Sequence, residues 1–218
     1  MVIRSILDAV EEARQRRERE AAVVMPIFPL GTILCPGGTM SLRVFEPRYM
    51  DMVKLSLKQQ LPFGICLIRE GREVGAPAEP ELVGTVARID DWDMPQQGIL
   101  LVRVTGLDRF RILSHEANER GLVVARVAYI EADADAPSLA LQVCAAFLAR
   151  IVKGRGQSLD DPGLHLDNAF WVGMRLNEML PLGNAVKQKM LELTDATMRL
   201  ELMQRFLQHQ GLLVGREE

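Results

Sequence analysis

The sequence predicts an α+β protein: a closed or nearly closed β-barrel with one inserted helix, followed by a C-terminal helical bundle. Three observations carry this prediction. Short apolar runs recur at near-regular spacing across residues 23–132, separated by Gly- and Pro-containing turns. A single helical stripe interrupts them directly after Pro47. From residue 133 onward the strand pattern stops and apolar residues recur every three or four positions. A charged segment, residues 1–22, precedes both halves, so the chain divides into 1–22, 23–132 and 133–218.

Residues 1–22 begin with Ile3, Ile6, Leu7 and Val10 at helical spacing and continue as interspersed Glu and Arg. Such mixed charge reads as a helix with one apolar patch. It serves either as a solvated helix resting on its own domain or as a docking or oligomerisation arm.

Residues 25–49 are the stretch around which the chain is organised. Residues 25–30 and 33–35 are apolar and extended, broken by Pro29, Gly31, Pro36, Gly37 and Gly38. Met40, Leu42 and Val44 then alternate with Ser41, Arg43 and Phe45, a strand period. Glu46 precedes a proline and is pushed out of the helical region, while Pro47 suits the first helical position. Tyr49, Val53 and Leu57 then share one helix face.

Strands are expected at 63–69, 82–89, 99–104, 109–113 and 122–130, with a polar loop over 90–97 and a break at Gly106, Leu107 and Asp108. In residues 109–112, Phe110 and Ile112 should point one way, inward, and Arg109 and Arg111 the other. Asp133 and Asp135 mark a small acidic break. Helices follow over 139–152, around Ala169, Val172, Leu176 and Leu180, around Val186, Met190 and Leu193, and around Leu200, Met203 and Leu207. Asn184 and Asp195 are the expected caps of the last two.

Residues 29–53, PLGTILCPGGTMSLRVFEPRYMDMV, resemble the opening of the Lon-type substrate-binding domain, the N-terminal domain of Lon proteases. The Phe45-Glu46-Pro47-Arg48-Tyr49 box carries most of the likeness; Cys35 stands where the family often has Phe. The strand pair at 106–112 and the helical block from Trp171 to Leu207 extend the resemblance over about residues 25–208. It implies a PUA-like barrel and a role in recognising substrate polypeptide. Because the protease and ATPase modules of Lon are not matched, a stand-alone form of the domain is expected.

The rest of the composition narrows the function. A Walker loop is excluded because the sequence contains no Gly-Lys dipeptide, and no Gly-x-Ser-x-Gly elbow is present. His115, His165 and His209 lie in different elements, without ligand spacing. Asp160 and Asp161, ahead of Pro162, read as a turn. No catalytic residue, metal or cofactor is therefore expected. Of the cysteines, Cys35, Cys66 and Cys144, the first lies in a turn and is the candidate reactive thiol. Three scattered cysteines fit a reducing cytoplasm better than a disulfide framework. No apolar run reaches the roughly 18 residues a membrane span needs, and no secretory signal opens the sequence.

The expected function is polypeptide binding without catalysis, as a substrate-recognition or adaptor protein that binds unfolded or partner polypeptide, with or without a separate protease. Candidate peptide-binding residues are Phe45, Glu46, Arg48 and Tyr49. Two readings of this box stay open. In one, Phe45 and Tyr49 are core and Arg48 pairs with a carboxylate, locking the strand–helix joint. In the other, parts of the box line a groove between barrel and helices that holds extended peptide. The alternative function is an RNA-binding PUA-like module. With 26 basic and 29 acidic residues and a net charge of −3, the chain lacks the basic stripe that nucleic acid requires.

Overall fold

The structure, a computed structural model, describes residues 22–131, 133 and 137–213. The charged helix expected over residues 1–22 falls outside these except for Ala22, and Asp135 lies outside them too. The chain forms two compact units. Among the described residues, one holds residues 22–34 together with Thr39–Ile130; the other holds Cys35–Gly38 and residues 131, 133 and 137–213.

Among the described residues the first unit contains seven strands: β1 (Val23–Leu30), β2 (Thr39–Val44), β3 (Phe63–Glu70), β4 (Glu79–Pro80), β5 (Val83–Gln96), β6 (Ile99–Ala117) and β7 (Val123–Tyr129). They form one mixed sheet. Pairings run β1–β7–β6–β5–β3, and β3 also pairs with β1 in parallel. β2 stands off this path and pairs with β6; β4 is a short strand on β3.

Alternate residues of β1 enter different cores, as a two-residue period requires when both faces are covered. Ile27 packs with Cys66, Val86, Phe110 and Val127, whereas Phe28 packs with Leu42, Val44, Tyr49 and Phe63. Helix α1 (Pro47–Gln59) supplies Tyr49, Met50, Met52 and Val53 to the second of these cores. It starts where the sequence requires. Glu46 is extended at φ −76° and ψ 134°, Pro47 occupies the first turn, and the N–H groups of Tyr49 and Met50 donate to the Glu46 carbonyl at 3.1 and 2.9 Å.

Several strand expectations need correction. Residues 90–96 are not a loop: β5 continues through them, paired with β6 from Asp91↔Arg103 to Gln96↔Ile99. The two strands expected on either side of Gly106 are one, β6. Ladder hydrogen bonds use the backbone, so polar side chains do not end a strand that is exposed on both faces. Register shifts absorb the irregularities, one of them between Thr85↔Arg109 and Ala87↔Gly106. From Thr85↔Arg109 to Val83↔Arg111 the register is unbroken, so Arg109 and Arg111 share a face as expected, but that face is covered at Arg109, which is buried, and open at Arg111, which is exposed. Residues 33–35, expected to be extended, belong to no strand.

The second unit holds α2 (Leu139–Gly154), α3 (Ala169–Met179), α4 (Asn184–Glu192) and α5 (Ala196–His209). Leu148, Val172, Leu176, Leu200 and Met203 share its core. Three of the helices are capped by side chains that accept from backbone N–H groups. Ser138 accepts from Leu141 at 3.1 Å, Asn168 from Trp171 at 2.7 Å and Asp195 from Met198 at 2.9 Å. The expected cap Asn184 is instead the first residue of α4, and Gly183 holds the cap position. Asp133, expected in a polar break, is buried: its carboxylate pairs with Arg199 at 2.7 Å, and both side chains are fully shielded. Arg199 also donates from Nε to the Met190 carbonyl at 2.9 Å and lies 5.5 Å from the Phe170 ring centre.

Candidate functional site

The Phe45–Tyr49 box is built by the abrupt change from β2 to α1. Once Pro47 forces the turn, Arg48 and Tyr49 both face inward. Arg48 Nη2 pairs with the Glu46 carboxylate at 2.9 Å, and Nη1 donates to the Gly121 carbonyl at 2.9 Å. Its guanidinium also lies 4.7 Å from the centre of the Tyr49 ring. Burial pushes the Tyr49 phenol pKa up; the Arg48 charge opposes this and the Glu46 charge adds to it. Phe45 differs from its expectation as a core residue. It follows Val44 by one position, takes the opposite face of β2, and is 49% exposed.

Beside the box lies a cavity of about 380 Å³. One wall is the continuous run from Met40 to Glu46, the length of β2 and its exit. Phe28 and Leu30 of β1, Thr32, and Tyr49 of α1 also line it. So do Glu73 and Val74, from the loop between β3 and β4. Glu73 is held there by accepting the Gly31 N–H at 2.6 Å.

Phe45, Glu46 and Tyr49 therefore line one cavity. Arg48 does not reach it; it faces a neighbouring cleft with Asp51 and Arg120, which pair at 2.8 Å. All the residues lining the cavity belong to the first unit, so this cavity is not the groove between barrel and helices that one of the two readings of the box describes. Sequence reasoning also missed Phe28, Leu30, Glu73 and Val74. The sequence signals for the site are the alternation of residues 40–45 and the Phe45–Tyr49 box; its other walls come from distant segments. The lining contains no histidine, cysteine or lysine, and its hydroxyls are those of Thr32, Ser41 and Tyr49. What it offers is apolar surface, two carboxylates, one guanidinium and a strand edge.

The second unit contains the turn Cys35-Pro36-Gly37-Gly38. Gly38 N–H donates to the Cys35 carbonyl at 2.9 Å, and Arg175 Nη2 donates to the Pro36 carbonyl at 2.6 Å. Both glycines are required. Gly37 has φ +71°, and a Cβ on Gly38 would come within 2.9 Å of the Cys35 carbonyl oxygen. Cys35 is fully buried, with Asn177 Nδ2 3.7 Å from its sulfur. Burial, reinforced by the nearby Glu178 charge, pushes its thiol pKa up to about 12. The expectation of a reactive Cys35 is thus overturned, because the thiolate is the nucleophile and here it is suppressed.

His115 Nε2 lies 3.0 Å from the Glu79 carboxylate, and Asp161 accepts the Gly163 N–H at 2.8 Å within its turn. Among the described residues, no helix is long and apolar enough to cross a membrane.

Comparison with known proteins places this arrangement. The profile of the ATP-dependent protease La (LON) substrate-binding domain matches residues 24–209. A crystal structure of a Lon N-terminal domain protein from Xanthomonas campestris is similar at 35% identity. The match covers 84% of this chain and 98% of that one, with a TM-score of 0.71. The N-terminal domain of a Mycobacterium avium complex Lon protease shares the fold at 19% identity, with 83% and 95% coverage and a TM-score of 0.63. Among curated proteins none matches. The mixed sheet and five helices are thus a Lon N-terminal-like fold, and the matched region corresponds to the substrate-binding module rather than the protease or ATPase parts. The chain belongs to the LON substrate-binding domain family.

Proposed function

We propose that this protein binds polypeptide without catalysing a reaction, as a substrate-recognition or adaptor protein, and that the cavity beside β2 is the binding site. The observation that carries the reading is the cavity itself. Phe28, Leu30, Leu42 and Tyr49 give it apolar walls, and Arg43, Glu46 and Glu73 supply polar groups for orientation. Family membership supports the same role. Phe45, Glu46 and Tyr49 act directly, and Arg48 acts by fixing Glu46 and Tyr49. The bound polypeptide is unfolded or locally extended and is passed on to a separate protease or held.

We read the ring of strand pairings as a PUA-like barrel (residues 23–132) and the later helices as a bundle (133–218). Residues 1–22 then form a separate charged arm. The three buried, unpaired cysteines suit the cytoplasm. An RNA-binding role fits worse, because the net charge is −3 and apolar side chains dominate the cavity.

Fluorescence anisotropy with a pool of unfolded peptides and a mixed RNA pool, each at low and high salt, tests the reading. Peptide binding at micromolar or weaker affinity that changes little with salt is expected. Ordering a flexible ligand costs on the order of 2–5 kcal/mol, and the attraction is mainly apolar. Tight RNA binding that collapses with salt, with no peptide signal, would instead mark counterion release and overturn it.

A further inference from the structure

We propose that the cavity takes its polypeptide as an added β-strand on the open edge of β2, and that the favoured segment is extended, apolar at alternate positions and acidic opposite Arg43. The inference rests on the polypeptide-binding reading and specifies its mode and substrate class.

β2 pairs with β6 from Thr39↔Thr105 to Val44↔Leu100, and no other described strand pairs with it. Along a strand, backbone N–H and C=O groups point alternately to the two sides. Half of those in β2 therefore point away from β6.

The cavity lies against that side. A void over one face of a strand touches every second residue. This one touches consecutive residues, buried Leu42 and Val44 as well as exposed Arg43 and Phe45. Both faces of β2 reach one void only when it lies off the edge. A ligand there meets unpaired backbone groups, which a second backbone satisfies.

The other long open edge has a different character. Beyond Ala87, β5 pairs with β6 alone, and there it carries Asp90, Asp91, Asp93 and Pro95. Charges and proline are the usual means of blunting an edge against strand addition. β2 has no proline and one charge, Arg43.

Charge sets the preference. Glu46 is answered by Arg48 at 2.9 Å, and Glu73 accepts the Gly31 N–H at 2.6 Å. Arg43 is exposed and has no ionic partner among the described residues, so its guanidinium is the charge available to a ligand carboxylate. Backbone bonding supplies affinity, and apolar side chains at every second position fill the space between Phe28, Leu42 and Tyr49.

The test uses the full chain and short synthetic peptides with Val and Leu alternating with Ser and one central Asp. The parent peptide is compared with forms N-methylated at odd or at even residues, which lose backbone donors but keep their side chains. One methylated register should bind about tenfold more weakly, the effect of losing backbone hydrogen bonds, while the other binds like the parent. Amide hydrogen exchange should slow at alternate residues of β2 when the parent peptide binds. Arg43→Glu should weaken the Asp peptide about tenfold and its Asn counterpart much less. Equal binding of all forms, or equal loss in both registers, overturns strand addition while leaving polypeptide binding intact. An Arg43→Glu variant that treats Asp and Asn peptides alike overturns the acidic preference. If no peptide binds in any form, the polypeptide-binding reading itself falls.

Discussion

The phenol ring of Tyr49 stacks on Phe28, with ring centres 4.2 Å apart and planes inclined by 21°. The contact joins the start of α1 to β1, and both residues line the cavity. Tyr49 is 3% exposed, so Tyr49→Ala should cost about 3–5 kcal/mol, seen as a large fall in melting temperature. Tyr49→Phe keeps the stack and should melt close to wild type. If the alanine variant melted like wild type, the ring would be doing no structural work.

Phe110 and Gly64 form a matched pair in the other core. A Cβ on Gly64 would sit 2.6 Å from Phe110 Cζ, too close for any real contact. Gly64→Ala should therefore destabilise by about 1–3 kcal/mol through overpacking. Phe110→Ala should cost about 3–5 kcal/mol, since the ring is fully buried. In the double variant the new methyl enters the space the ring leaves and only its 2.7 Å approach to Ile27 Cδ1 remains, so the combined loss in urea denaturation should be below the sum. Strictly additive losses would refute the close packing of these two residues.

Asp133 and Arg199 are both shielded from solvent. Removing one partner of a buried ion pair strands the other charge, which typically costs about 3–5 kcal/mol. Asp133→Ala should cost about that much. Replacing both residues together with apolar side chains of similar volume should recover most of the loss. Chemical denaturation of the single and double variants measures both effects; a harmless Asp133→Ala would mean that water reaches Arg199.

The Cys35 thiol should resist alkylation in the native protein and react only on unfolding. Its folded pKa, about 12, exceeds that of an unfolded cysteine, about 8.5, so the folded state holds the proton more firmly. The sign follows from linkage. The stabilising contribution is complete below about pH 8.5 and is lost as pH rises from there toward about 12. Thiol titration with and without denaturant, and stability measured against pH, check both statements. Rapid labelling of Cys35 in the native state at neutral pH would contradict them.

The sequence by itself determined the local events. Alternation at residues 40–45 makes β2, the Glu46-Pro47 step starts α1, and Asp195 caps the last helix, because sterics, side-chain period and capping act over a few residues. Tertiary structure decided which of these residues became a site. Phe45 and Tyr49 both look like core in the sequence, yet only Tyr49 has Phe28 waiting across the fold to cover it. Asp133 reads as part of a polar break until Arg199, far along the chain, is placed beside it. Cys35 reads as a turn thiol until Asn177 and Arg175 close over its turn. The open edge of β2 is not written in its side chains at all, for it depends on which strands pair elsewhere in the sheet. Coverage and pairing are set by contacts between segments far apart in sequence, and no local pattern encodes where those segments meet.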